Sequence, residues 1–255
     1  MTNKSKMRVA FIGSGKVATE LALIFRFQGI DITGISSRNE VSGTDLATRL
    51  DCPFVADPNE LKADLIIIAT NDVSVKALNS TLKTESFVVY TAGAVNLDEI
   101  TDENWGVFYP LQTFTKNRHL TVDEVPILME ANSNELRNLL EALCEKIGFQ
   151  YDYCNSQNRQ KYHLAAVYVN NFVNHLFHKA QIQLKENQLN WNLLKPLIEE
   201  TVAKLDDLSA FDAQTGPARR NDQSTIHTHE SLLNDEEVQL YKTLTNSIQK
   251  TYNHD

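Results

Sequence analysis

The sequence predicts an α/β fold: a parallel sheet with helices on both faces, followed by an all-helical domain. Three observations predict it. Continuous apolar runs alternate with amphipathic stretches up to about residue 155, a glycine-rich turn joins the first run to the first amphipathic stretch, and no strand-like run follows Asn155. The first run, "MRVAFIG", reads as a strand buried on both faces. Val17, Ala18, Leu21, Ala22, Ile24 and Phe25 then recur at helical spacing, and Gly29 is placed to end that helix in a left-handed conformation. "DITGISS", "DLIIIAT" and "SFVVYTAGA" predict further strands, with "WGVFYP" and "VPILMEA" as shorter ones. "NELRNLLEALCEKIG" predicts a helix stopped by Gly148. Beyond it, residues 157–189, 196–209 and 235–252 read as helices, with Pro196 in a first turn and Val238, Tyr241, Leu244, Ile248 and Tyr252 as the last apolar stripe. The expected domains are therefore 1–155 and 156–255.

A chain of 255 residues has room for two such domains. Its net charge of −9 argues against nucleic acid as a partner, which calls for a basic face. Cys52, Cys144 and Cys154 are too far apart for a CxxC pair or a zinc site, so they read as reduced thiols. The N-terminus "MTNKSKMR" lacks the apolar core of a signal peptide, and no apolar run reaches the ~20 residues of a membrane span. A cytoplasmic protein without membrane contact is the expectation.

The turn "FIGSGKVATEL" allows two phosphate-binding readings. A triphosphate P-loop needs a glycine at Ala10 and a hydroxyl at Val17, and has neither. The dinucleotide fingerprint GxGxxG/A is met by Gly13, Gly15 and Ala18 between a strand and a helix, which predicts a Rossmann domain with a pyrophosphate on Gly13, Ser14, Gly15, Lys16 and Val17. At the end of the second strand an NAD enzyme carries an acidic residue, whereas this chain has Ser36, Ser37 and Arg38. Two hydroxyls and a guanidinium suit a 2′-phosphate, so the expected cofactor is NADP. The plainer alternative is a polar turn with a solvated arginine. Ligands bind at the carboxyl ends of parallel strands, which adds Thr70, Asn71, Asp72, Thr91, Ala92 and Gly93 to the cofactor set. Asp72 also reads as the N-cap of the helix "VSVKALNS".

From these residues the N-terminal part resembles pyrroline-5-carboxylate reductases and the wider β-hydroxyacid dehydrogenase group. The segments "GVFYPLQTF", "HLAAVYVNNFVNHL", "KPLIEET" and "AQTGPARRND" are similar to Rossmann-like proteins carrying a helical domain of unknown function 2520. The resemblance spans nearly the whole chain. It implies an NADP oxidoreductase of open substrate, whose helical domain is of the 6-phosphogluconate-dehydrogenase C-terminal type and forms a homodimer. Tyr90 and Tyr109 stand where much of the broader group has histidine, and a phenol does not do a histidine's proton chemistry near neutral pH.

In related dehydrogenases the first long helix after the Rossmann domain lines the active site. His163 and Asn171 are accordingly the expected catalytic residues, with a satisfied buried network at the dimer interface as the alternative. Tyr109, Gln112, Asn170, Asn174 and Arg219 are expected substrate contacts. His227, His229 and Glu230 lack the spacing of a zinc site, so no metal is expected. The expected reaction moves a hydride to or from a small carbonyl, imine or hydroxyl compound. The alternatives are a non-catalytic NADP-binding sensor or scaffold, and a deazaflavin in place of NADP.

Overall fold

The structure is a computed structural model that describes residues 7–100 and 102–252; the polar stretch at residues 1–6, on which part of the localisation reading rests, lies outside them. By internal contacts the chain divides into two compact units between Leu176 and Phe177. That division falls some twenty residues after the expected boundary at 155.

The first unit holds one seven-stranded sheet: β1 (Arg8–Ile12), β2 (Asp31–Ser36), β3 (Leu65–Ile68), β4 (Phe87–Tyr90), β5 (Trp105–Pro110), β6 (Ile127–Ala131) and β7 (Tyr151–Tyr153). The spatial order is β2-β1-β3-β4-β5-β6-β7. All neighbours are parallel except β5 and β6, which run antiparallel with Pro110 opposite Ile127 and Gly106 opposite Ala131. This departs from the all-parallel expectation. A parallel connection needs a crossover, usually an α-helix, and between β5 and β6 the chain has only the single 3₁₀ turn Val122–Glu124. Strand β7 pairs parallel to β6 and had no distinct signal in the sequence.

Central strands are apolar on both faces because both are covered. Val9 and Phe11 of β1 and Leu65 and Ile67 of β3 pack into one core with Leu21, Phe25, Leu46 and Leu140. Their alternates, Ala10, Ile12, Ile66 and Ile68, pack into a second with Val75, Val88, Tyr90 and Val107. The helices of these layers are α1 (Lys16–Phe27), α2 (Glu40–Leu50), α3 (Asp72–Thr81) and α4 (Asn134–Ile147). Gly29, with φ +74°, and Gly148, with φ +91°, end α1 and α4 in the left-handed region as expected. The cap of α3 is Asn71, whose side chain accepts from the Ser74 N–H; Asp72 is the first helical residue instead.

The long helix read at 157–189 is present with an irregularity. It comprises α5 (Ser156–Ala166), a π-helical stretch (Val167–Phe172) and α6 (Val173–Glu186). In the second unit α7 (Lys195–Ala203) carries Pro196 in its first turn and gives way to a 3₁₀ turn, Lys204–Asp206. Then follow α8 (Ala210–Ala213), α9 (Gln223–Ser231) and α10 (Asp235–Tyr252). Asp222 caps α9 through the Thr225 N–H. Phe211 stacks on Tyr252 with ring centroids 4.5 Å apart.

Candidate active site

The carboxyl ends of β2, β1, β3 and β4 open on one cleft of about 1220 Å³. Its walls bring together Gly13, Ser14, Gly15, Lys16, Val17, Ser36, Ser37, Arg38, Thr70, Asn71 and Thr91. Asp72, Ala92 and Gly93 lie off those walls.

Each part of the cleft has a local cause. Gly13 has φ +125°, and a Cβ there would meet the Ala69 carbonyl oxygen at 2.3 Å. Only glycine therefore lets the loop after β1 press against the end of β3. Its N–H donates to the Ser36 carbonyl at 2.7 Å, tying the loop to β2 as well. Gly15 begins α1 and no side chain caps that helix. The N–H groups of its first turn thus point out with no intrahelical acceptor, at the positive end of the dipole. Asn39, Asn71, Ser133 and Asn155 do cap α2, α3, α4 and α5.

At the β2 end Ser14 Oγ lies 2.8 Å from Ser37 Oγ and 2.7 Å from Ser42 Oγ, next to exposed Arg38. Ser42 was missed in the sequence. The available signal was its place in the first turn of α2, three residues after the cap. At the β3 end Thr70 Oγ1 is buried and has no hydrogen-bond partner. A buried hydroxyl without a partner calls for one. An uncapped helix start, a hydroxyl cluster with a guanidinium, and an orphaned hydroxyl in one cleft form a donor set that fits a phosphorylated dinucleotide.

Beyond β4 the next strand ends supply a second group. Tyr109, at the end of β5, lies with its Oη 3.1 Å from Nδ1 of His163 on α5. Gly93 lies under both. A Cβ at this position would stand 3.0 Å from His163 Nδ1 and 3.0 Å from Tyr109 Cε2. Burial pushes the Tyr109 phenol above its usual value, against the pull of the Arg159 cation.

The other tyrosine at a histidine position, Tyr90, is fully buried, donates to the Val95 carbonyl at 3.3 Å and is pushed up strongly by burial. It belongs to the core, not to the cleft.

Helix α5 is held by a buried ionic cluster that the sequence reading also missed. Arg159 is fully buried and pairs with Glu130 of β6. It also donates to the Val95 carbonyl at 2.5 Å and to Ser156 Oγ at 3.0 Å. Ser156 Oγ donates to Glu130 Oε2 at 2.7 Å and accepts from the Leu97 N–H at 2.9 Å. Glu130 closing the apolar run "VPILMEA" was the available signal.

The remaining expected contacts are dispersed. Asn170 is half-buried, whereas Asn171 and Asn174 are exposed. Gln112 is exposed and donates to the Glu124 carbonyl at 2.7 Å. Arg219 is engaged inside the second unit, donating to the Asp212 and Gln214 carbonyls and lying over the Tyr252 ring. No group of three metal-ligating side chains occurs among the described residues, and none of their helices is long and apolar enough to cross a membrane.

Comparison with known proteins bears on the family and the fold. Residues 8–92 match the family described as NADP oxidoreductase, coenzyme F420-dependent, and residues 125–248 match the domain of unknown function 2520. A crystal structure of a candidate NADP oxidoreductase from Bacteroides fragilis is 33% identical, over 96% of this chain and 98% of that one, with a TM-score of 0.88. A reductive aminase from Aspergillus terreus, in complex with NADPH and ethyl-5-oxohexanoate, is 12% identical over 98% and 97%, with a TM-score of 0.75. A 1-pyrroline-5-carboxylate reductase from Streptococcus pyogenes is 17% identical over 97% of both chains, with a TM-score of 0.60. The last two show a shared fold. No curated protein matches the chain. A nucleotide-type cleft on the sheet, the two family matches and the Bacteroides relative along almost the full length lead to one conclusion: the chain belongs to the Rossmann-fold NADP oxidoreductase family that carries the domain of unknown function 2520.

Proposed function

We propose that the protein is an NADP(H)-dependent oxidoreductase acting on a small carbonyl, imine or hydroxyl compound. The observation that carries this reading is the cleft over β2, β1, β3 and β4, with an uncapped helix start at its centre and Ser37 and Arg38 at one end. The α1 N-terminus would hold the pyrophosphate, Ser37, Ser42 and Arg38 the 2′-phosphate, and Thr70 the ribose beyond it. When bound, the nicotinamide supplies or takes up a hydride. The chain's own part is to orient the cofactor along the strand ends, leaving its reactive end toward Gly93 and Tyr109.

An Arg38→Ala variant tests the cofactor reading. NADPH binding, followed by fluorescence titration, should weaken at least tenfold while NADH binding changes little. Equal losses for both would remove the 2′-phosphate assignment.

A second reading is a deazaflavin as the hydride carrier, favoured by the family matched over residues 8–92. Titration with a deazaflavin alongside NADPH separates the two. A non-catalytic sensor would bind NADPH and oxidise none of it across a panel of small carbonyls and imines.

The same reading includes a homodimer built on the helical region, supported by the exposed apolar side chains of the long helix. It includes a cytoplasmic setting, supported by three free thiols.

A further inference from the structure

We infer that Tyr109 is the proton donor of the reaction and that His163 resupplies it, the two working as a dyad over Gly93. The inference rests on the oxidoreductase reading and deepens it.

The order of the strands carries the argument. The cleft starts at β2, where the guanidinium and hydroxyls lie, and passes β1 and β3 to Thr91 just beyond β4. A dinucleotide held by its 2′-phosphate at β2 and its pyrophosphate at β1 extends along strand ends spaced ~4.8 Å apart. Its reactive end then faces β4 and β5. Those two strands deliver Gly93 and Tyr109, and α5 delivers His163 to the same place.

Both rings close over a residue that has no side chain. Any Cβ at Gly93 forces them to yield by a few tenths of an ångström. The rings sit edge to face with centroids 6.2 Å apart, and Nδ1 lies 3.1 Å from the hydroxyl.

The chemistry balances as follows. The substrate carbon of a C=O or C=N bond receives the hydride with its two electrons, and the nicotinamide is oxidised. The heteroatom takes the proton from Tyr109 Oη; that O–H bond breaks as the new bond forms. Imidazolium Nδ1–H gives its proton to the same oxygen, so no free phenolate is left. His163 ends neutral and is reprotonated from solvent. A half-buried phenol alone is a poor acid near neutral pH, since burial raises it further. The histidine resolves this, being the side chain that changes charge between pH 5 and 8.

Charges around the dyad come from several elements. Arg159 lies one turn earlier on α5, Glu130 on β6 neutralises it, and Tyr90 on β4 is buried behind it. On α5 itself Lys161 donates to Asn158 at 3.2 Å.

The test uses the intact protein and three variants, Tyr109→Phe, His163→Gln and Gly93→Ala. In the protein without cofactor, His163 is titrated by NMR. Tyr109→Phe should shift its midpoint and change the balance of its two tautomers; an unchanged titration overturns the dyad. In NADPH oxidation with small ketones and imines, Tyr109→Phe should lower kcat about 100-fold or more, with NADPH affinity within twofold of the parent. The Tyr109→Phe/His163→Gln double variant should lose no more than the worse single one. The parent rate should fall as pH rises through the midpoint that NMR gives for His163, and His163→Gln should abolish that dependence. Gly93→Ala should lower kcat while still binding NADPH. Full kcat in Tyr109→Phe, or losses that multiply in the double variant, overturns the dyad alone. A parent protein that binds no NADPH, or binds it and turns over nothing, overturns the oxidoreductase reading and the dyad with it.

Discussion

At the scale of residues, a few positions have almost no freedom. Gly13 is the clearest, since its φ of +125° and its 2.3 Å distance from a virtual Cβ to the Ala69 carbonyl oxygen exclude any side chain. Gly13→Ala should cost about 1–3 kcal/mol of stability through backbone strain. It should also widen the cleft enough to lose NADPH binding. A thermal melt together with a fluorescence titration checks both, and an unchanged melting temperature would contradict the close packing. Such residues were legible in the sequence because the constraint is local: the glycine pattern follows a strand and precedes a helix. The contact between Tyr109 and His163 was not legible. The two lie 54 positions apart, and only the folded sheet brings them together. The sequence reading valued His163 and noted Tyr109 as a departure from the family, with no means of seeing that one touches the other. Tyr90 carried the same signal as Tyr109, yet one points into the core and the other sits beside the histidine. Both lie on one face of the sheet, since Tyr90 pairs with Val107 and Tyr109 stands two residues further along β5; what separates them is height along the strands, which composition does not encode.

At the scale of elements, periodicity predicted the helices and apolar runs predicted the strands, but neither carries direction. The reversal at β6 was hidden for that reason. The π-helical stretch was hidden too, because a wider turn changes the hydrogen-bond partner without changing the residue types. Helix α5 is fixed less by its apolar face than by the Glu130–Ser156–Arg159 cluster. Removing one partner of a buried pair leaves the other charged and unpaired, at a cost of about 3–5 kcal/mol. Glu130→Gln should therefore lower the urea midpoint strongly. Replacing both residues with methionine should cost less than the two single changes added together, because no charge is then stranded. Additive losses would show that the pair is not coupled.

At the scale of the whole molecule, the long helix leaves Tyr168 62% exposed, Val169 74% and Phe172 51%. An apolar row of this kind is unusual on a protein that works alone. A homodimer through this face predicts that sedimentation gives twice the chain mass, and that Val169→Glu with Phe172→Glu yields monomers with a lower melting temperature. Monomers in the unchanged protein would refute it. The antiparallel step between β5 and β6 has its own consequence for where the chain leaves the sheet. Strands β6 and β7 run against the first five, and β7 ends with Tyr153 opposite Met129, which in turn faces Phe108, one position past the level of Tyr90 and Val107 where β4 stops. The chain therefore leaves the sheet beside the carboxyl ends of the parallel strands, and α5 starts there with the Ser156 N–H on Glu130. Seven residues, about 10 Å of helix, then bring it to His163 beside Tyr109. The last two strands serve as a return lane: they hand the chain back on the ligand side of the sheet, where two turns of helix are enough to reach the tyrosine.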